Sequence, residues 1–304
     1  MRHYEICGLH VASELTLAGA SAAEAGAAEV TIRVGDVADR LDGAGEDHAT
    51  YMISGGRLLL RIPGVARFLI DGAQAVLVAP APGAAARDAE PFLLGTVFGL
   101  LMQLRGEVVL HAGAVRLGDA AVLLMGPSGA GKSTLLAALA ERGLPVLGDN
   151  LCRISVEGGI PVAHPDAARV QLWSQGFERL GLAALRGDPV RAGIEKYFAA
   201  TPVEAAALPL AGAYALRETR PPARDGVTRP NVVDQTMLVG RCAFRQRPIE
   251  WLGARQHYLN AAAAIAGRSG VFLYDRPIDF AALAQSIDVL IAHWRERGLM
   301  GASP

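Results

Sequence analysis

Short apolar runs alternate with glycine-containing breaks over the first 80 residues. The stretches EVTIRVG (29–35), MISGGRLLLRI (52–62) and RFLIDGAQAVLVAP (67–80) show this pattern most clearly. Because Gly-Gly and Asp-Gly between apolar runs are typical of hairpin turns, the second and third stretches each predict two paired strands. The pattern predicts a small antiparallel β-rich N-terminal domain over residues 1–90.

After residue 80 the chain changes from short strands to a linker followed by alternating helices and strands. The segment PAPGAAARDAEP (80–91) is rich in proline, glycine and alanine and predicts a linker. Beyond it, the apolar runs predict a helix at 92–104, buried strands at 107–115, 120–126 and 144–149, and a helix at 132–142. Buried strands separated by a helix indicate a βαβ unit in a mainly parallel sheet. We therefore expect an α/β domain over residues 91–304.

The last third of the chain is less regular. Residues 217–256 hold eight arginines and four acidic residues, which predicts loops and edge strands. A strand at 271–277 and an amphipathic helix at 279–298 are expected after it. The apolar face of that helix comprises Ala282, Leu283, Ile287, Leu290, Ile291 and Trp294.

Composition excludes several protein classes. In 304 residues, 51% hydrophobic and 19% charged side chains predict a globular chain rather than a disordered or fibrous one. The apolar helix at 92–104 is too short to cross a bilayer, which takes about 20 residues. The three cysteines are far apart and show no CxxC spacing, which favours reduced thiols over disulfides or zinc. The N-terminus resembles no secretory signal, so we expect a cytoplasmic protein without a membrane anchor.

The chemistry-bearing motif lies between the second buried strand and the helix that follows it. Residues Gly126, Pro127, Ser128, Gly129, Ala130, Gly131, Lys132 and Ser133 match the P-loop pattern GxxxxGK[ST], and Thr134 follows. The motif predicts a P-loop kinase core within residues 91–304. In this motif backbone N–H groups and a helix N-terminus bind phosphates, the lysine reaches the terminal phosphates, and the serine ligates magnesium. The motif predicts ATP and Mg²⁺ as cofactors. Of the 29 basic residues only Lys132 and Lys196 are lysines, and arginine cannot replace a compact ammonium at a phosphate site.

Two residues outside the motif, Asp149 and His111, indicate what chemistry the nucleotide site performs. Asp149 ends the strand after the motif's helix and so is expected at the same sheet edge, within reach of magnesium or the attacking hydroxyl. His111 interrupts an apolar strand before the motif, as either a catalytic residue or an ordinary core histidine. The chain contains no GxSxG, HExxH or LSGGQ-like motif, so serine hydrolases, zinc enzymes and ABC-type ATPases have no support.

The motifs LHAGAV, GPSGAGKST and ERGLPVLGDN together resemble the core of the HPr kinase/phosphorylase family. His111 precedes Lys132 by 21 residues and Asp149 follows it by 17, and both intervals match that family. The tracts LPLAGAYALR (208–217) and VFLYDRPIDFAAL (271–283) look most like the shorter relatives that phosphorylate a serine of lasso-peptide precursors. The resemblance implies an HPr-kinase-like catalytic domain at 91–304 with His111 and Asp149 catalytic, Asp149 acting as the base.

The sequence departs from that family at two points. The second aspartate of the family's Asp-Asp pair is Asn150 here, which makes the reverse, phosphorylase reaction doubtful. The downstream glutamate-bearing signature is replaced by RVQLWSQG (169–176), so HPr itself is a poor candidate substrate. Lys196 lies in GIEKYFAATP, and a similar lysine-aromatic stretch occurs in the HPr-kinase-like relatives. We expect it to close over the phosphates or the acceptor; a solvated loop lysine is the alternative.

These observations predict an ATP-dependent serine kinase that acts on a peptide or small protein. Two alternatives stay open at this point: a kinase of a small-molecule hydroxyl, and a regulator that binds a nucleotide without catalysis. The net positive stretch at 217–256 lacks the interleaved aromatic residues of a nucleic-acid-binding surface, so no nucleic acid partner is expected. The oligomeric state is left open, and a homo-oligomer is compatible with the sequence.

Overall fold

The computed structural model describes residues 1–300 except 44–45, 48–49, 167–168, 192 and 219–224. The described residues form a mixed α/β structure with three sheets. Within the described residues, no helix combines the length and the apolar character that a membrane crossing requires.

The first sheet is formed by residues 2–80. Its strands are β1 Arg2–Ile6, β2 Leu9–Ser13, β3 Ser21–Ala22, β4 Val30–Val34, β5 Glu46–Asp47, β6 Tyr51–Ser54, β7 Arg57–Ile62, β8 Ala66–Asp71 and β9 Ala75–Pro80, in the order β3-β1-β2-β4-β9-β8-β7-β6-β5. The two predicted hairpins are β6-β7 and β8-β9. The expectation of a purely antiparallel unit is wrong, because β4 pairs in parallel with both β2 and β9.

A helical segment covers one face of this sheet. It begins with a 3₁₀ turn at Ala86–Ala89 and continues through α1 Glu90–Phe92, a π-helical stretch at Leu93–Val97 and α2 Phe98–Leu104. Its apolar side chains share a core with the first sheet and with Val109, Leu151 and Phe244 from further along the chain. The helical segment that the sequence assigned to the second domain therefore packs on the first sheet, and the boundary at residues 90–91 stays a prediction.

The second sheet has nine strands. They are β10 Val108–Leu110, β11 Ala112–Leu117, β12 Ala120–Met125, β13 Val146–Gly148, β14 Cys152–Glu157, β15 Ile160–His164, β19 Leu208–Glu218, β20 Gly226–Thr228 and β21 Val271–Arg276. Among the described strands of this sheet only the β12-β19 and β19-β21 pairs are parallel, so the expected mainly parallel sheet is a mixed one. Strand β11 is antiparallel to both β12 and β13, which places the carboxyl ends of β12 and β13 beside the start of β11.

Helices pack on both faces of this sheet, as in other α/β folds. One face carries α3 Lys132–Glu141 and α8 Leu283–Glu296, and the other carries α5 Val232–Arg241, α6 Gln246–Trp251 and α7 Arg255–Ala264. A π-helical stretch at Ile265–Ser269 follows α7. The predicted apolar face of α8 is confirmed from Leu283 to Trp294. The prediction of loops and edge strands over 217–256 is largely wrong, since α5 and α6 lie there beside the short β20; residues 219–224 lie outside the described part.

The third sheet is small and flanks the second. Its strands are β16 Gln171–Trp173, β17 Arg186–Pro189 and β18 Lys196–Ala199, in the order β16-β18-β17. Helix α4 Ser174–Leu180 follows β16 directly, and a 3₁₀ turn at Ala183–Leu185 leads into β17. This sheet brings residues distant in sequence to the carboxyl edge of β12 and β13.

Candidate active site

A glycine-rich loop connects β12 to α3 at the carboxyl edge of the second sheet. Gly126, Gly129 and Gly131 all have positive φ, and Gly131 is the left-handed N-cap of α3. A Cβ at Gly131 would collide with the guanidinium of Arg276, whereas a Cβ at Gly129 would meet open space. Gly131 and Ser133, at the start of α3, line a cavity, and helix N-termini placed in this way bind phosphate groups elsewhere.

The Lys132 side chain lies against the loop and is only 7% exposed. Its Nζ donates hydrogen bonds to the Gly126 carbonyl at 2.8 Å and to the Pro127 carbonyl at 3.1 Å. The third contact joins Nζ to Nε2 of His111 at 3.0 Å. Burial lowers the pKa of Lys132, and Asp149 opposes that shift. All three ammonium protons thus have acceptors at one point of the sheet edge.

The sequence predicted that His111 lies within one apolar strand. In the structure His111 lies between two strands, after the end of β10 and before the start of β11. Its backbone N–H donates to the Cys242 carbonyl at 2.7 Å. Burial, followed by the charge of Lys132, lowers the pKa of His111 to about 4, and a hydrogen bond to the Asn150 backbone opposes the shift. The imidazole is therefore neutral at pH 7, and its Nε2 can accept from Lys132.

Asp149 follows β13 and is buried, with 7% of its surface exposed. Its Oδ2 accepts a hydrogen bond from the Gln171 N–H at 2.9 Å. Its Oδ1 is buried and has no partner in normal hydrogen-bond geometry among the described residues. Burial raises the pKa of Asp149, while Gln171, the Ser133 hydroxyl and the charge of Lys196 oppose that rise, in this order. A buried carboxylate oxygen without a partner is costly unless a cation or a proton donor binds there.

Lys196 reaches the same place from the third sheet. Burial lowers its pKa and the nearby Asp149 carboxylate raises it. It lines a cavity of about 310 Å³ together with residues of the loop and of the facing wall. The cavity is lined by His111, Ser128, Gly129, Gly131, Lys132, Ser133, Thr134, Asp149, Asn150, Gln171, Leu172, Trp173, Gln175, Gly176, Lys196 and Phe280.

Most of the residues singled out from the sequence meet in this cavity, and three do not. The carbonyls of Gly126 and Pro127 face Lys132, and the carbonyl of Ala130 accepts from Arg276 at 2.8 Å. These three residues shape the loop instead of lining the cavity.

Several residues of the cavity wall were not assigned a role from the sequence. Gln171 and Trp173 lie in the tract RVQLWSQG, and Phe280 lies in VFLYDRPIDFAAL, so their tracts were noted although the residues were not. Arg276, 3% exposed, supports the loop beneath Gly131. No local pattern distinguishes an arginine of this kind from the other arginines of the chain.

The residues present fit a magnesium ion with few protein ligands. Among the described residues no three His, Cys, Asp or Glu side chains are grouped as a metal site would require. Ser133 and Asp149 nevertheless offer a hydroxyl and a carboxylate, one oxygen of which lacks a partner. Mg²⁺ is commonly held by one or two protein oxygens together with substrate phosphates, so this pair fits the ion without a larger cluster.

Comparisons with known proteins give a likeness among solved structures and no match in sequence. No protein-family model matches the chain, and no curated protein matches it. Among solved structures, the HPr(Ser) kinase/phosphatase from Coxiella burnetii aligns over 62% of this chain and 98% of its own, at 15% sequence identity and a TM-score of 0.34. A TM-score of that size is too low to establish a shared fold, so the functional argument rests on the residues of the cavity.

Proposed function

We propose that this chain is an ATP-dependent serine kinase that phosphorylates a peptide or a small protein. The observation that carries the proposal is the buried, unpartnered Oδ1 of Asp149 in a cavity that also contains the glycine-rich loop, Lys132 and Lys196. A carboxylate oxygen next to a phosphate-binding loop can take a proton from a hydroxyl, which mere nucleotide binding does not require.

The loop and α3 account for binding of the donor. Backbone N–H groups of residues 128–133 and the N-terminus of α3 would bind the phosphates, with Lys132 exchanging its carbonyl acceptors for phosphate oxygens. Ser133 would hold Mg²⁺ together with Oδ2 of Asp149, which has a second lone pair beside the one that accepts from Gln171. When bound, ATP supplies the phosphoryl group and Mg²⁺ offsets the charge on its oxygens.

Asp149 accounts for activation of the acceptor. Burial raises its pKa and makes it a stronger base than an exposed aspartate, while the Gln171 N–H and Lys196 keep the ionised form accessible. It would accept the proton of the acceptor hydroxyl at Oδ1, since Oδ2 is engaged by Gln171. His111 contacts Lys132, so its role would be to orient that ammonium group.

The peptide acceptor is supported by the sequence resemblance described above, and a precursor of the lasso type is its most specific form. A kinase of a small-molecule hydroxyl differs from this proposal only in the acceptor, and a nucleotide-binding regulator differs by catalysing no transfer. A library of unstructured serine-centred peptides, with free serine and glycerol as small-molecule comparators, separates them when transfer from γ-labelled ATP is measured. Transfer to peptides supports the proposal; transfer to the small molecules alone, or ATP binding without transfer to any acceptor, contradicts it.

Asp149→Asn tests the role of the base. The amide oxygen can still accept from the Gln171 N–H, so we expect the fold and ATP affinity within a few fold of wild type. Transfer should fall by about 10²- to 10⁴-fold, the range for removal of a general base. Asp188→Asn, at an exposed carboxyl on β17, is the charge-matched control and should retain transfer. Loss of Mg-ATP binding in calorimetry would instead make Asp149 chiefly a metal ligand and place the base elsewhere.

A further inference from the structure

Strand β16 has one edge that no strand of the described residues covers. Its register with β18 pairs Trp173 with Lys196, and the Ser174 N–H donates to the Glu195 carbonyl at 2.8 Å. Hydrogen-bonded and non-hydrogen-bonded pairs alternate along antiparallel strands. The backbone N–H and C=O groups of Gln171 and Trp173 therefore point away from β18. In the described part of the chain no strand pairs with that side of β16.

This outer edge of β16, meaning the backbone groups of Gln171 and Trp173 that point away from β18, faces the catalytic carboxylate. The Gln171 N–H donates to Asp149 Oδ2 at 2.9 Å. The Trp173 N–H is the next donor along the same edge, about 7 Å away at the rise of a strand. Among the described residues it has no hydrogen-bond acceptor. One donor of the edge thus holds Asp149, and the next, on a residue that lines the cavity, has no acceptor in the described part of the chain.

The side chain at the end of this edge is an exposed tryptophan. Trp173 is 60% exposed and lines the cavity beside Lys196. The neighbouring aromatic rings of the same sheet are covered by arginines, Arg169 over Phe198 and Arg186 over Tyr197. Among the described residues no cation or ring is found over Trp173. A large exposed ring at the mouth of a cavity is typical of a surface that binds a partner.

We infer that the acceptor peptide binds in an extended conformation and adds as a strand to the outer edge of β16. This inference rests on the proposed kinase function and specifies its substrate class. A carbonyl of the peptide accepts from the Trp173 N–H, the indole covers a neighbouring part of the peptide, and the serine hydroxyl lies beside Oδ1 of Asp149. Strand addition recognises the peptide backbone, so the acceptor serine lies in an unfolded segment and not on a helix or a folded surface.

The backbone geometry at Trp173 permits a clean test of the N–H group. Its φ is −68°, which matches the fixed φ of proline, and its ψ of 149° is extended. Trp173→Pro therefore removes the N–H and the indole without backbone strain, while Trp173→Ala removes the indole alone. Ala85 is exposed and has a similar φ of −73°, so Ala85→Pro is the control for introducing a proline elsewhere. Thermal melting of all three variants verifies that they fold.

The probe is the best acceptor of the serine-centred peptide library. We expect Trp173→Ala to raise KM for this peptide, Trp173→Pro to raise it about three- to tenfold further, as for one lost hydrogen bond, and kcat to change less than KM. Ala85→Pro should behave as wild type. A second measurement uses wild-type protein with the same peptide N-methylated at one residue at a time. Methylation should impair transfer at every second residue near the serine, because only alternate N–H groups face the strand edge.

The outcomes separate this inference from the proposed function. Equal KM for the alanine and proline variants together with a uniform N-methyl scan, while peptides are still phosphorylated, overturns strand addition and leaves the kinase proposal intact. If Trp173→Pro fails to fold, the N-methyl scan on wild-type protein decides alone. Absence of transfer to any peptide despite ATP binding overturns both proposals.

Discussion

Replacing His111 separates its electrostatic role from simple packing. Burial and the adjacent Lys132 lower the pKa of His111 from 6.5 to about 4, so the folded protein takes up this proton at lower pH than the unfolded chain. Between these two values the unfolded state binds more protons, and the free energy of unfolding falls as the pH falls. The stabilising effect of the neutral ring is fully present above pH 6.5 and is lost by about pH 4.

The loss of stability between neutral and acidic pH can be calculated from the pKa shift of His111. At about 1.4 kcal/mol per pKa unit, the change from 6.5 to about 4 corresponds to at most about 3.5 kcal/mol, of which about 3 kcal/mol is lost by pH 4, and the ring's partial exposure reduces both values. His111→Gln cannot titrate, but its side-chain oxygen can accept from Lys132 Nζ. Wild type should therefore lose up to about 3 kcal/mol more stability than His111→Gln between pH 7.5 and pH 4.

Urea unfolding of both proteins at pH 7.5, 6, 5 and 4 measures this difference. His164 and His293, whose pKa values are also lowered chiefly by burial, contribute equally to both curves and cancel. Parallel curves across this range would refute the argument that the site holds His111 neutral.

Activity of His111→Ala then addresses the catalytic role. This variant removes one of the three acceptors of Lys132 Nζ, so single-turnover transfer at pH 7.5 should fall while the melting temperature changes little. If His111 only packs and hydrogen-bonds, truncation should instead cost about 1–3 kcal/mol of stability. A destabilised variant whose folded fraction transfers phosphate at the wild-type rate would identify an ordinary core histidine.

Two further predictions concern the glycine-rich loop. Lys132→Ala should abolish ATP binding and phosphoryl transfer, because the loop loses its ammonium group; unchanged affinity in calorimetry would contradict the assignment of the loop to phosphate binding. Gly131→Ala should lower stability more than Gly129→Ala. Both glycines have positive φ, so alanine costs about 1–2 kcal/mol of backbone strain at either position. Only the alanine at position 131 would also collide with Arg276. Equal melting temperatures of the two variants would show that the contact with Arg276 has no energetic weight.

Local features of the structure followed from sequence because their causes are local. The β6-β7 turn lies at Gly55 and Gly56, both with positive φ, which glycine adopts without steric cost. The loop at 126–133 is bounded by a strand and a helix as its motif predicts. The apolar face of α8 is buried because its 3.6-residue periodicity permits one buried stripe.

Strand pairing could not be predicted in the same way. Strand β4 pairs in parallel with β2 and β9, and β12 pairs with β19 across about 90 residues of sequence. Such pairings depend on which edges meet when the whole chain packs, and no neighbouring residue encodes them. The helices α5 and α6 were missed because the prediction for residues 217–256 weighed their arginine content, whereas the apolar periodicity of α5 is as pronounced as that of α8. Both helices pack on the second sheet, through Val239 and Ile249.

In the candidate site, too, one part follows from local sequence and the other from tertiary packing. Residues 126–134 were identified by their spacing, since a loop that binds phosphates needs its glycines and its lysine at fixed intervals. Only the tertiary structure brings Lys196 from the third sheet to Asp149 and joins His111 to Lys132, at separations of 47 and 21 residues. The same holds for the free edge of β16 beside Asp149. The packing of the sheets on one another decides which side chains share a buried cavity. Local sequence specifies only the segment that carries each charged side chain, whereas the charges interact through space.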